Sequence, residues 1–194
     1  MTYVAGVLRS PTSEAPPEKV VLLGADRRPS GFALKSEVHD TDTRLHLAFS
    51  CYVTDGDGQV LLTRRALGKR TWPGVWTNTC CGHPGPDEAF EDAVRRRLVD
   101  ELGLEVGTLS CVLPDFAYRA TDASGVVENE VCPVFVAQAH PRAHVVANSS
   151  EVMEWRWVSW ASLASAVDAT PFAFSPWSAL QVPLLDEQVQ TWAR

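Results

Sequence analysis

Cys81 and His83 stand two residues apart in the run Thr71-Trp72-Pro73-Gly74-Val75-Trp76-Thr77-Asn78-Thr79-Cys80-Cys81-Gly82-His83-Pro84. A thiol can carry a proton or act as a nucleophile, and an imidazole can hold a metal or shuttle a proton. Residues 77–81 read as a short strand that Gly82 breaks, and a helix-like run follows it. Cys81 is therefore the candidate proton-transfer thiol, at the mouth of a helix N-terminus that would favour its thiolate. A free cysteine is more often a small buried hydrophobe. That plainer reading fits Cys80, whose side chain leaves the strand on the opposite face.

A second group has the composition of a metal site. His39, His46 and His83 are three of only five histidines. Glu128 and Glu130 are two apart in a β-like run, so both carboxylates face one side. A lone histidine is usually packed or solvated, but three imidazoles with two carboxylates make a competent site for a divalent cation. Mn²⁺, Mg²⁺ and Zn²⁺ are the candidates. Lys35, Arg65 and Lys69 come from separate segments. Each alone is an ordinary surface charge, and together they could hold a diphosphate by charge-assisted hydrogen bonds. Tyr118 and Trp177 read first as core aromatics.

The elements that must bring these residues together are strands and helices in alternation. Residues 19–23 read as a strand, closed by turn chemistry over 24–31. Runs 45–53 and 60–64 form a hairpin around Thr54-Asp55-Gly56-Asp57-Gly58-Gln59. The clearest helix spans 87–102. Phe90, Val94, Leu98 and Leu102 recur at i+4 there, and Gly103 closes it. Residues 126–138 and 152–158 read as strands, the second with Trp155 and Trp157 on one face. Residues 160–168 and 178–192 read as helices. This interleaving predicts an α/β or α+β fold, a mixed β-sheet packed between helices in a single domain over 19–194. Residues 1–18, with three prolines, read as a flexible N-terminal tail.

Composition limits the partners. The net charge of −7 argues against nucleic-acid binding, whose affinity rests on neutralised phosphates. No apolar run reaches the roughly 18 residues of a membrane span. Five cysteines without a CxxC pair fit a reducing compartment better than a disulfide framework. The expectation is a cytoplasmic protein, a monomer or weak homodimer, acting on a small molecule.

Two resemblances add to this reading. The spacing Gly82-x5-Glu88-x7-Arg96-Arg97-Leu98-x-Asp100-Glu101-x-Gly103 resembles the Nudix box, a loop–helix–loop that binds Mg²⁺–diphosphate. Arg97 stands where a Nudix hydrolase carries a metal-binding glutamate, and that loss weakens water activation. More specifically, four segments resemble type I isopentenyl diphosphate isomerase. They are Asp42-Thr43-Arg44-Leu45-His46-Leu47-Ala48-Phe49, Thr77 to Pro84, Tyr118-Arg119-Ala120 and Glu128-Asn129-Glu130-Val131-Cys132-Pro133-Val134-Phe135. Ala173-Phe174-Ser175-Pro176-Trp177 extends the match, which covers roughly 20–180.

The resemblance implies a Nudix-like fold and interconversion of isopentenyl and dimethylallyl diphosphate through a tertiary carbocation. It implies that His39, His46, His83, Glu128 and Glu130 hold one divalent metal, Mn²⁺ or Mg²⁺ with Zn²⁺ as a further candidate. Glu101 and the Cys81 carbonyl would help hold a Mg²⁺ that arrives with the diphosphate. Cys81 and Glu130 would be the acid–base pair, with Tyr118 hydrogen-bonded to Glu130. Lys35, Arg65, Lys69 and Arg97 would contact the diphosphate, and Trp177 would face the cation. Two competitors stay open at this point: a Nudix hydrolase of a nucleoside diphosphate derivative, and a catalytically dead binding module on the same scaffold.

Overall fold

The computed structural model describes residues 7–9, 18–140 and 143–192, with side chains over 18–140 and 143–186. The chain opens with β1 (Val7–Arg9), β2 (Lys19–Leu23), β3 (Pro29–Leu34) and a single helical turn, α1 (Lys35–Val38). Then come β4 (His46–Leu47), β5 (Phe49–Thr54), β6 (Gln59–Arg65), β7 (Trp76–Thr77), β8 (Cys80–Gly82) and α2 (Phe90–Leu102). The second half holds β9 (Val106–Leu113), β10 (Ala117–Thr121), β11 (Val127–Val131), β12 (Val134–Ala139), β13 (Val146–Asn148) and β14 (Val152–Ser159). It ends with α3 (Trp160–Ala169), a 3₁₀ turn and α4 (Pro176–Trp192).

Most of the strands form two sheets. The smaller runs β10-β11-β4-β2-β3; the larger runs β14-β6-β5-β12-β9, with β7 on β6 and β8 on β5. Period-two alternation in the larger sheet sends Cys51, Val53, Leu61, Phe135 and Ala137 to one face, against Val94, Leu98 and Leu102 of α2. Tyr52, Val60, Leu62 and Val134 face the other way, onto Leu163 and Val167 of α3 and Val182 and Leu185 of α4. The expected mixed sheet between helices is what forms. Each fully buried leucine of α2 contributes about 1.5–3 kcal/mol.

Three predicted elements are divided, each for a physical reason. The run 45–53 splits at Ala48, and 126–138 splits at Cys132-Pro133. These two breaks face each other. Strand β4 pairs in parallel with β11 (Glu130 opposite His46), and β5 pairs in parallel with β12 (Val134 opposite Ser50). The two chains thus cross together from one sheet to the other without changing register. Pro133 has no N–H for the ladder, and its carbonyl accepts from Ser50 N at 3.0 Å.

The run 77–81 splits at Asn78-Thr79, where side chains take over from backbone. Asn78 Nδ2 donates to the carbonyls of Cys51 and Cys80, and Thr79 Oγ1 accepts from Val53 N at 2.8 Å. Helix α2 begins at Phe90 rather than residue 87, because Asp87 sits at φ 61° and cannot continue a right-handed helix. Its C-terminus is as expected: Gly103 lies at φ 62°, and Leu104 N closes on Leu98 O at 3.1 Å.

Strand β3 starts at Pro29, inside the stretch expected to be only a turn, and β9 and β10 were not expected at all. Within the expected N-terminal tail, Val7–Arg9 pairs in parallel with Val146–Asn148, while residues 1–6 and 10–17 lie outside the described residues.

Candidate active site

The smaller sheet supplies most of the metal-type ligands. His46 opens β4 and Glu130 lies opposite it on β11, so their side chains share a face. His39 follows the last residue of α1, and His83 follows β8 from the larger sheet. One ligand atom from each of His39, His46, His83 and Glu130 lies within 4.8 Å of the others. Glu130 Oε1 is 3.3 Å from His83 Nε2, 3.4 Å from His46 Nε2 and 3.9 Å from His39 Nε2.

The protonation pattern is that of a ligand set. His46 Nδ1 lies 2.8 Å from the Arg44 carbonyl, a contact that requires its proton and leaves Nε2 with a lone pair. His39 Nε2, His46 Nε2 and His83 Nδ1 are buried and have no hydrogen-bond partner among the described residues. Burial pushes His83 down to about 3, so it is a neutral imidazole at neutral pH. Burial opposes ionisation of Glu130 too, but the surrounding imidazoles outweigh it and hold its carboxyl well below the usual range. Burial likewise opposes protonation of His46, and the Glu130 carboxylate more than offsets this, holding its pKa above the ordinary value. Orphaned nitrogens around an ionised carboxylate fit a divalent cation, because buried polar atoms otherwise find partners.

Glu128, the fifth predicted ligand, stands beside this cluster. Its oxygens are engaged by the hydroxyls of Thr71 and Tyr118. The Tyr118 hydroxyl is also 2.9 Å from Glu130 Oε2, so it sits between the two carboxylates, as expected for Glu130. Burial, followed by the charge of Glu130, raises the Glu128 carboxyl.

Cys81 faces the same cavity, about 450 Å³ in volume, which is also lined by Lys35, His39, Arg65, Lys69, His83, Tyr118, Glu128, Glu130 and Trp177. Helix α2 starts nine residues after the thiol rather than directly behind it. Burial instead pushes the thiol up to about 12, offset in part by hydrogen bonds with Ser50 and Asn78. Burial by the protein's own groups thus favours the thiol form of Cys81. Cys80 is core, packed with Val94 and Leu98.

Asn78 is the hub that sequence reading missed. Its Oδ1 accepts from Cys81 Sγ at 3.1 Å, Trp177 Nε1 at 2.9 Å and Thr77 Oγ1 at 2.7 Å. One fully buried amide therefore fixes both the thiol and the indole. An asparagine inside a β-like run is itself a signal, because strands disfavour it unless its side chain has backbone partners. Trp72 meets Trp177 edge-on at 5.6 Å, and the Arg65 guanidinium lies 5.1 Å from the Trp177 ring centre.

The basic residues divide. Lys35, Arg65 and Lys69 line the cavity, joined by Arg70, which sequence reading did not single out. Lys35 is paired with Glu18 at 2.5 Å and Lys69 with Glu151. Arg97 departs from the expectation. It is 5% exposed, is not among the cavity-lining residues, and gives its guanidinium to Glu101 at 2.5 Å, Glu151 at 3.1 Å and Glu18 at 3.2 Å. It is a buried structural cation here. Glu101, expected near a substrate-borne Mg²⁺, is the partner of Arg97 and lies outside the His/Glu130 cluster.

Comparison with known proteins agrees with this arrangement. A model of the NUDIX domain matches residues 44–178. An isopentenyl-diphosphate Delta-isomerase from Kocuria rhizophila is 59% identical over 86% of this chain and 91% of its own length. Proteins of the same name from Frankia alni and Mycolicibacterium vanbaalenii are 58% and 57% identical, over 85% and 87% of this chain and 84% and 92% of their own. Among solved structures, a protein from Deinococcus radiodurans aligns over 78% of this chain and 90% of its own, with a TM-score of 0.59 at 18% identity. A MutT protein from Methanosarcina mazei aligns over 74% and 94%, with a TM-score of 0.54 at 19% identity. At such identity these two speak for the fold alone. With a NUDIX domain over residues 44–178 and relatives of a single name covering 85–87% of its length, the chain belongs to the isopentenyl-diphosphate Delta-isomerase family.

Proposed function

We propose that the protein interconverts isopentenyl and dimethylallyl diphosphate, and that Cys81 and Glu130 move the protons. The observation that carries this reading is the convergence of a half-buried thiol, a buried carboxylate and a histidine cluster on one cavity. Moving the double bond requires a proton added at one terminal carbon and another removed from the carbon beside the central one. Two positioned groups in opposite protonation states meet that need. Burial holds the proton on Cys81, and the imidazoles keep Glu130 without one. Each turnover leaves the proton on the other member of the pair, and exchange with solvent resets it.

Tyr118 bridges Glu130 and Glu128 and steadies the carboxylate. Proton addition makes a tertiary carbocation that water would capture, so the apolar wall that Trp177 and Tyr118 give the cavity matters to the outcome. The indole face adds about 0.5–2 kcal/mol of cation stabilisation. Lys35, Arg65 and Lys69 are the residues we assign to the diphosphate. His39, His46, His83 and Glu130, with Glu128 beside them, would hold a divalent ion, Mn²⁺ or Mg²⁺ with Zn²⁺ as a third candidate. Bound there, such an ion supplies positive charge that tunes the Glu130 carboxyl. The diphosphate would bring its own Mg²⁺, for which the Cys81 carbonyl is the nearer candidate, Glu101 being held by Arg97. Residues 19–194 form one domain in this reading. Among the described residues no helix is long and apolar enough to cross a membrane, and a cytoplasmic site of action with no nucleic-acid partner fits the acidic composition.

The test is incubation of the purified protein with isopentenyl diphosphate and Mg²⁺. The expected product is the dimethylallyl isomer, with Cys81→Ala and Glu130→Gln each lowering turnover by roughly 10²–10⁴-fold while far-UV circular dichroism is unchanged. Release of phosphate or isopentenyl phosphate without the isomer would establish a hydrolase instead.

A further inference from the structure

Between the basic wall of the cavity and its carboxylates stands one residue to which no role has been given. Thr71 is 4% exposed and lines the cavity in the loop after β6. Its hydroxyl proton goes to Glu128 Oε1, and its Oγ1 accepts from Arg65 Nη2 at 3.2 Å. Its carbonyl accepts from the same guanidinium twice, from Nη2 at 2.8 Å and from Nε at 3.1 Å. Both polar groups of one small side chain and its peptide are thus committed, one way to the cation that lies against Trp177 and the other to the carboxylate beside the histidine cluster.

The next residue continues the arrangement. Trp72 sits at φ 43°, a left-handed conformation that is costly for a tryptophan, and its N–H is held by Asp122 Oδ2 at 3.1 Å. Its carbonyl also accepts from Arg65 Nε, at 3.2 Å. A carboxylate offers about four lone-pair sites, so with Thr71 on Oε1 and Tyr118 on Oε2 each oxygen of Glu128 keeps one for a cation. A chain of donors from Arg65 through Thr71 to Glu128 polarises each member in the same sense, strengthening both hydrogen bonds.

We propose that Thr71 is a positioning residue that locks the anion-binding Arg65 to the metal-side Glu128, so that the two halves of the site hold a common geometry. This rests on the function proposed above and adds a coupling to it: loss of the Thr71 hydroxyl should be felt at both ends. Hydrogen-bond partners of metal-side carboxylates typically change metal affinity by about 10–100-fold when removed.

The experiment compares wild type, Thr71→Val and Thr71→Ser. Mn²⁺ alone is titrated in competition with a chelating dye, and kcat and KM for isopentenyl diphosphate are measured beside melting temperatures. The expected result is that Thr71→Val, which keeps the shape and loses the hydroxyl, weakens Mn²⁺ by about 10–100-fold and raises KM, while Thr71→Ser restores both. Thr71→Ala carries the same test if the valine variant does not fold. Mn²⁺ affinity and KM unchanged in the valine or alanine variant would overturn the proposal, as would a serine variant no better than valine. Failure of wild type to isomerise would instead refute the assigned function, and the Mn²⁺ titration would still report on the Thr71 link.

Discussion

Two buried charged clusters reach strand β8, and they are built on opposite rules. Around Arg97, Glu18, Glu101, Glu151 and Lys69 pair a guanidinium and an ammonium with carboxylates. Around Glu130, three imidazoles surround one carboxylate and, among the described residues, His39 Nε2, His46 Nε2 and His83 Nδ1 have no hydrogen bond. The first cluster satisfies itself and the second does not. Charge and burial are common to both, so neither marks function by itself. Incomplete satisfaction does, because a buried orphan is costly unless something outside the protein completes it.

Breaking each cluster in metal-free protein should separate them. Arg97→Met leaves Glu101 buried without its cation and Glu151 with Lys69 alone, and should cost about 3–5 kcal/mol in urea unfolding. His39→Gln removes no ion pair needed for folding and should cost under about 1 kcal/mol, while lowering metal affinity. Equal losses in the two variants would erase the distinction.

A smaller effect is expected where the clusters meet. A Cβ at Gly82 would come within 2.8 Å of Arg97 Cγ and 2.9 Å of Phe49 Cζ. Gly82→Ala should therefore destabilise by about 1–3 kcal/mol through overpacking, and it should displace Cys81 and His83 enough to lower turnover. A fully active, equally stable Gly82→Ala variant would show that the strand tolerates the shift.

The smallest effect is in acid. Burial opposes ionisation of Glu151, but Lys69 and Arg97 outweigh it and bring the carboxyl down to about 2 from an ordinary 4.5. A depressed folded pKa stabilises the native state above the unfolded value, and that contribution is lost as pH falls through the folded one. Stability should thus drop by on the order of 1 kcal/mol between pH 4.5 and 2 from this group, and Glu151→Gln should flatten that part of the curve.

The same contrast explains what could be read from the sequence. The metal-type residues were legible because histidines are few and a Glu-x-Glu pair in a strand must share a face. The place of Arg97 was not. The resemblance implied a diphosphate contact, yet Glu18 and Glu151, far away in the chain, claim it with no local signal. Helix α2 was legible from its i+4 stripe, but not its start, which a left-handed Asp87 delays. Strand β3 hid behind a proline, and β9 lacked a clean alternation, its burial running exposed on both faces over much of its length. Thr71 gave no signal of its own in the sequence, because its partners lie on β6 and β11.

The joint crossing of two parallel strand pairs between the sheets has a consequence for how the molecule comes into being. Pairing Glu130 with His46 closes a loop of about eighty residues, an entropic cost met only once the flanking elements exist. The smaller sheet brings Glu130, His46 and Tyr118, and the larger brings Cys81 and, just beyond it, His83. A chain that has assembled either sheet alone has neither a full ligand set nor a thiol across from a carboxylate. In the proposed function, ion capture and proton transfer therefore need both sheets in place at once.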